Sequence, residues 1–320
     1  MVVTDIALLI GSLVVVALSS RFVLNYSLNI ANATRLGEMV FGFIVLSLMT
    51  NLPEFTLAGT AVLTGSPNVS IGNLVGGNVY NIAFSIGLMA IITTISIRKE
   101  ALRQMSKLLF FVAGFTLLVI IANWPFKILG AFLIVFYAWF IWTSIKGKLK
   151  LRGNKKGGRK SKFKTAWIFG LVVSMAAVIA SASIAVNSAI KLSEAFGISQ
   201  LLIGSSIFAI ATNLPELMIA IRSASTRHTG LGLGSVLGSN LTGITLVMGL
   251  VFLLSPTISL DYNAYSTAAV YLLGLSLLLW FLIGRGKLER PEGILLVSLY
   301  VIFILVSFGF SLAHLTIPLL

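Results

Sequence analysis

The pentapeptide Thr50-Asn51-Leu52-Pro53-Glu54 recurs letter for letter as Thr212-Asn213-Leu214-Pro215-Glu216. Both copies lie inside long apolar runs that read as membrane helices. A carboxylate near the middle of a bilayer costs at least about 3 kcal/mol and marks function when it is found there. Two of them, each one residue after a proline and in duplicated segments, point to a midplane cation site made by two repeats of one ancestral unit.

The neighbours supply further oxygens. A proline inside a helix lacks an N–H and clashes with the carbonyl four residues back, so Pro53 is expected to free the carbonyl of Met49, and Pro215 that of Ala211. The distorted turns should loosen the carbonyls of Thr50 and Thr212 as well. Thr50 and Glu54 are spaced i, i+4 and share a helix face, while Asn51, three residues before Glu54, adds an amide oxygen; Thr212, Asn213 and Glu216 repeat the pattern. Hard oxygen donors of this kind suit Ca²⁺ or Na⁺, and two carboxylates balance one divalent charge. The chain has no cysteine and only two histidines, which excludes disulfides, thiolate metal sites and histidine-rich ones. No organic cofactor is implied.

The elements that must carry these residues are all membrane helices. Of the 320 residues 58% are hydrophobic and 10% charged, and the mean hydropathy is +1.03. That composition is an all-α integral membrane protein whose partner is the lipid bilayer. Apolar stretches fall at about 5–24, 39–64, 71–96, 107–123 and 126–145, and again at about 165–189, 199–221, 231–254, 263–284 and 291–313. They predict ten transmembrane helices in two five-helix halves, 1–145 and 165–320. Between them runs a hydrophilic linker, 146–164, holding ten of the 23 Lys and Arg. The net charge of +14 therefore reads as a loop facing anionic lipid, not as a nucleic-acid surface, and no protein partner is inferred.

Charge placement gives the orientation. With the linker cytoplasmic and both termini extracellular, Arg21, Arg35, Arg98, Lys99, Arg103, Lys107, Arg222, Arg227, Arg285, Lys287 and Arg290 join it inside, and only Lys127 and Lys191 lie outside. The expected location is the plasma membrane. Asp5 precedes the first apolar run without a basic segment, so that run reads as a retained helix and not a cleaved signal. No aspartate is expected within a helix, and neither histidine falls in a polar core, which argues against an intramembrane hydrolase.

The halves align at a constant shift of 162 from Thr50 to Leu88, pairing Ala58/Ala220, Gly72/Gly234, Gly76/Gly238, Asn78/Asn240 and Gly87/Gly249 among others. The second and seventh spans are five apart, an odd number, so the repeats (about 39–96 and 199–254) cross the membrane in opposite senses as two inverted repeats. The third and eighth spans open with Gly72-x-x-x-Gly76-Gly77-Asn78 and Gly234-x-x-x-Gly238-Ser239-Asn240, a spacing that lets backbones approach closely.

With its Leu-Pro-Glu cores and the Gly-x-x-x-Gly-(Gly/Ser)-Asn segments that follow, the chain resembles the cation/Ca²⁺ exchanger superfamily over its whole length. The resemblance implies Glu54 and Glu216 as Ca²⁺ ligands, aided by main-chain oxygens of Thr50 and Thr212. It implies Na⁺ ligands at the Ser239 hydroxyl, the Asn81 amide and main-chain oxygens near Ser47 and Ala209. It also implies that the first and sixth helices slide across the core to alternate access. The chain departs from the sodium/calcium pattern at Asn51 and Asn213, where serines are usual. It departs again at Gly77, opposite Ser239, and at Gly243, opposite Asn81. An asparagine three residues before the glutamate is typical of the cation/proton branch. The expected function is an antiporter exchanging Ca²⁺ for Na⁺ at one midplane site, with H⁺ as the alternative counter-ion and a passive cation channel as a further one; it is not an enzyme. A single cysteine placed in the 146–164 linker of this cysteine-free chain is expected to react with an impermeant thiol reagent from the cytoplasmic side only. Reaction from outside overturns the orientation.

Overall fold

Side chains that are apolar around the whole helix circumference leave the backbone no option in lipid but to satisfy its own hydrogen bonds, and nearly every described residue is helical. The computed structural model describes residues 2–34, 41–63, 65, 67–96, 110–119, 125–145, 164–195, 205, 208–258, 260 and 262–315. The helices are α1 (Val2–Thr34), α2 (Gly42–Thr50), α3 (Leu52–Leu63), α4 (Pro67–Ile92), α5 (Phe110–Val119) and α6 (Phe126–Ile145). After the linker come α7 (Thr165–Ala195), α8 (Ala209–Thr212), α9 (Leu214–Ser225), α10 (Thr229–Leu254), α11 (Tyr262–Gly284) and α12 (Arg290–Leu315). All ten expected apolar stretches contain helix. By length and apolarity five of the described helices suffice to cross a membrane, or six if the bent pair α2 and α3 is one span. Nearly all of the 146–164 linker lies outside the described residues, as does the start of the second repeat at 199–204.

Two expectations about the first span are corrected. Helix α1 runs ten residues past Leu24, because its buried stripe Val23, Leu24, Ser27, Ile30 continues at helical spacing where it packs along α7. Arg21 thus sits within the helix on an exposed face, where a long side chain can snorkel, and does not mark the helix end. Asp5 lies in the first turn of α1, within a helix after all, with Lys191 of α7 at 3.9 Å. An acidic residue there complements the helix dipole.

Helices α4 and α10 are the centre of the molecule: 78% and 83% of their spanning residues are buried, against 22–44% for α6, α11 and α12. Their glycines explain how neighbours come so close. A Cβ on Gly238 of α10 would run into the Phe43 carbonyl and come within 2.7 Å of the Ser47 Cβ of α2; one on Gly76 of α4 would lie 2.5 Å from the Ser205 oxygen. Phe43 and Ser205 are themselves related by the shift of 162, so the same close approach is made twice, each time from one half of the chain to the other. Helices α4 and α12 touch backbone to backbone at Gly87 and Gly293. They are tied again at their ends by a two-stranded antiparallel ribbon, β1 (Ile95–Ser96) with β2 (Lys287–Leu288), Ile95 facing Leu288. Gly286, at φ 84°, makes the turn that feeds β2.

Gly238→Ala is expected to lower the melting temperature in detergent, since overpacking costs about 1–3 kcal/mol. Gly274→Ala, with nothing within 4 Å of the added Cβ on lipid-facing α11, is expected to leave it unchanged or slightly higher. Equal melting of the two variants contradicts the close packing of α10 on α2.

Candidate functional site

The repeated pentapeptides do not kink continuous helices. Helix α2 stops at Thr50, Asn51 takes φ −78° and ψ 3°, and α3 starts at Leu52 with its axis turned by 43°. In the second half α8 stops at Thr212, Asn213 takes φ −89° and ψ 9°, and α9 starts at Leu214. Pro53 and Pro215 are the second residues of new helices, where a missing N–H costs nothing and the fixed φ suits the first turn. This corrects the expectation that each proline frees one carbonyl inside an unbroken helix. The effect on the site is larger. Glu54 and Glu216 fall in the first turns of α3 and α9, where unpaired N–H groups and the helix dipole favour negative charge. Thr50 and Thr212 end α2 and α8, among the last carbonyls that a helix leaves without an internal partner.

The side chains around the breaks interlock across the two halves. Asn51 donates through Nδ2 to the Ser47 carbonyl at 2.6 Å and to Ser239 Oγ of α10 at 3.0 Å. Ser239 Oγ in turn donates to Glu216 Oε1 at 2.8 Å. Asn213 donates to the Ala209 carbonyl at 2.8 Å and receives Asn81 Nδ2 of α4 on its Oδ1 at 2.7 Å. Asn81 Nδ2 also donates to Asn240 Oδ1 at 2.9 Å. The Thr50 hydroxyl stands near Glu216 but spends its proton on the Ser47 carbonyl at 3.3 Å; the Thr212 hydroxyl stands near Glu54 and donates to Asn73 Oδ1 at 3.3 Å. Each threonine thus lies beside the other half's glutamate.

Between α4, α10 and the two breaks is a polar cavity lined by Asn51, Glu54, Asn73, Leu74, Gly77, Asn78, Asn81, Asn213, Ser239, Asn240 and Gly243. Glu216 joins it through Ser239. Glu54 is 4% exposed and Glu216 0%. Both oxygens of Glu54, Oε2 of Glu216 and Oδ1 of Asn78 receive no hydrogen bond. Among the described residues neither glutamate is paired with a lysine or arginine. The Nδ2 atoms of Asn73 and Asn240 are unpaired as well, but each unmet buried neutral group costs about 1–3 kcal/mol and a charged one more, so the carboxylate oxygens make the strongest unmet demand one for positive charge. Its chemistry is that of a cation held by oxygens, with two carboxylates and neutral amides around it.

Of the ten residues singled out from sequence, Glu54, Asn51, Asn81, Asn213 and Ser239 line the cavity, and Glu216, Thr50 and Thr212 adjoin it. Ser47 and Ala209 stand behind it. The Ser47 carbonyl already accepts from Asn51 Nδ2, the Asn51 N–H and Thr50 Oγ1; its own hydroxyl donates to the Phe43 carbonyl. Asn73 was missed by sequence reasoning. Its signal is the stripe Asn73, Gly77, Asn81 at steps of four along α4, matched by Ser235, Ser239, Gly243 along α10. Widened π-helical turns begin at Tyr80 in α4 and at Gly243 in α10, next to these stripes, where such turns commonly mark functional sites.

The chain resembles known proteins over most of its length. The family model described as sodium/calcium exchanger protein matches residues 4–146 and 166–309. An uncharacterised membrane protein of Methanocaldococcus jannaschii is 30% identical over 298 residues, 92% of this chain and 95% of its own length. The sodium/calcium exchanger MaX1 of Methanosarcina acetivorans is 27% identical over 352 aligned residues, 96% of this chain and 99% of its own length. Among solved structures, the sodium-calcium exchanger NCX_Mj soaked with Na⁺ and Sr²⁺ superposes with a TM-score of 0.79 at 26% identity, covering 95% of this chain and 99% of the other. A family match across both halves, joined to a whole-chain structural match, settles kinship: this integral membrane protein belongs to the sodium/calcium exchanger protein family.

Proposed function

We propose that the chain is a secondary active antiporter that carries Ca²⁺ at the Glu54/Glu216 site and returns a monovalent cation through the same site; it is a transporter and not a catalyst. The observation that carries this reading is the set of three buried carboxylate oxygens without a donor, the two of Glu54 lining one polar cavity and that of Glu216 adjoining it. Two negative charges match one divalent cation or two monovalent ones, and ions that share ligands exchange because they cannot be bound together. The relative named as a sodium/calcium exchanger, and the NCX_Mj structures soaked with Na⁺, Ca²⁺ or Sr²⁺, support this choice of ions. Glu54, Glu216 and the carbonyls of Thr50 and Thr212 are the proposed Ca²⁺ ligands, with the oxygens of Asn51 and Asn213 at the rim.

The proposed architecture is ten spans in two inverted halves, 1–145 and 165–320, joined by a cytoplasmic 146–164 linker in the plasma membrane, with both termini outside and lipid as the partner. Matching helix breaks at Asn51 and Asn213 and paired contacts at Gly76 and Gly238 support the duplication. Helices α1 and α7 pack along one another, which suits a pair that slides together to alternate access.

One observation favours H⁺ over Na⁺ as the returning ion. The main-chain oxygens of Ser47 and Ala209, which a sodium site would use, are taken by the Asn51 and Asn213 amides at 2.6 and 2.8 Å. Asn81 likewise turns its NH₂ toward Asn213 and Asn240. Na⁺ needs several oxygens around it, whereas a proton needs one carboxylate.

Glu54→Gln and Glu216→Gln are each expected to abolish ⁴⁵Ca²⁺ exchange in proteoliposomes while leaving size-exclusion behaviour intact, because one lost charge leaves a buried divalent ion under-neutralised. Wild-type rates in either variant sink the site. Uptake driven by an imposed pH gradient alone identifies H⁺ as the counter-ion; uptake driven only by a Na⁺ gradient identifies Na⁺. Calcium current with neither gradient nor counter-flux identifies a channel.

A further inference from the structure

The two halves of the cavity are not equivalent, and the difference traces to one missing side chain. At the constant shift, the counterpart of Ser239 is Gly77. Ser239 gives Glu216 a hydroxyl at 2.8 Å, while Glu54 receives none. Gly77 cannot supply one, and the space beside it is not free. A Cβ on Gly77 would lie 2.6 Å from Asn213 Nδ2 and 3.5 Å from Asn213 Cγ. The end of a flexible side chain would ordinarily move aside. This one is held at both ends, by Nδ2 to the Ala209 carbonyl at 2.8 Å, by Nδ2 to Thr212 Oγ1 at 3.3 Å, and by Asn81 on its Oδ1 at 2.7 Å. The other glycine that departs from its counterpart behaves differently. A Cβ on Gly243 would meet Leu74 Cδ2 at 3.5 Å and Asn51 Oδ1 at 3.6 Å, which is ordinary contact.

We infer that Gly77 and Asn213 act as one specificity-determining unit: the Asn213 amide fills the place of a position-77 side chain and keeps Na⁺ out of the Glu54 side of the cavity. The exclusion is chemical as well as steric. The atom nearest Gly77 is an amide nitrogen whose two protons are spent on the Ala209 carbonyl and Thr212 Oγ1, so it offers no lone pair where a sodium ion would want an oxygen. On the opposite side Asn51 Nδ2 engages the Ser239 hydroxyl instead, and that hydroxyl keeps an oxygen in the cavity. Serine can be placed at 77 only if residue 213 is shortened at the same time, and the pair then offers two hydroxyl oxygens in place of one amide NH₂.

The inference rests on cation antiport at this site, and its test separates the two. Purified wild type, Gly77→Ser, Asn213→Ser and the double variant are melted without ions, then assayed for ⁴⁵Ca²⁺ uptake and for its inhibition by Na⁺. Gly77→Ser alone is expected to melt lower and to lose uptake about tenfold, the scale of one or two disrupted buried hydrogen bonds. The double variant is expected to regain the wild-type melting temperature, and its Ca²⁺ uptake to be inhibited by Na⁺ at concentrations about tenfold lower than wild type and with a steeper dependence. A Gly77→Ser protein that melts and transports like wild type overturns the inference. So does a double variant that fails to fold, or one no more sensitive to Na⁺ than wild type. If the ion-free melting temperatures show the coupling while wild type neither binds nor moves Ca²⁺, the packed pair stands and the antiport reading falls.

Discussion

Burying a carboxylate away from water costs several kcal/mol unless something answers its charge, and this fold buries two, one lining and one adjoining a single polar cavity. Much of the surrounding architecture follows from that constraint. Both helices break one turn before the glutamate, so that each carboxylate lies at a helix N-terminus with dipoles turned toward it. Prolines stand where they cost no hydrogen bond. Asparagines at the breaks cap the carbonyls that the interrupted helices leave behind. These neutral groups lessen the charge problem and stop short of solving it, since three carboxylate oxygens still lack a donor.

Holding such a site open demands rigid walls, and the glycines provide them. Gly76 and Gly238 let α4 and α10 press against the backbone of the opposite half, and Gly87 with Gly293 lets α12 brace α4 from outside. Close backbone contact replaces the hydrophobic driving force that lipid removes between membrane helices. The β1–β2 ribbon adds a second tie between α4 and the α11–α12 hairpin. Against this braced centre, α1 and α7 form a long pair contacting each other along their length, with a wide ion pair at one end.

The site is nearly symmetric between the two halves, and the hydrogen bonds around its asparagines and threonines are where it departs from symmetry. The Asn51 amide meets a hydroxyl on Ser239; the Asn213 amide meets bare backbone at Gly77 and is gripped by Asn81 instead. Asn73 holds the Thr212 hydroxyl, whereas Thr50 folds its own back onto the Ser47 carbonyl. One carboxylate is therefore partly satisfied and the other is not.

Composition and repetition were enough to read a membrane protein, its apolar stretches, the duplicated polar core and the two glutamates, because each depends on residue type and spacing along the chain. Asn51 was legible from its three-residue step to Glu54, and Ser239 and Asn81 from the resemblance to the cation/Ca²⁺ exchangers. The sequence also read the prolines as kinks and ended α1 at Leu24. Whether a helix bends or stops, and how far it runs, depends on what packs against it, and α1 runs to Thr34 where it packs along α7. Asn73 was invisible because its counterpart, Ser235, broke the repeat. Only the tertiary structure decided which polar atoms are paired and which are left over. It showed the Ser47 and Ala209 carbonyls already occupied, and it showed that of two glycines that look alike in sequence, Gly243 would accept a Cβ at ordinary contact distance while Gly77 lies under an amide. Hydrogen bonds between residues 132 or 188 positions apart are fixed by how the halves dock, and no local pattern encodes that.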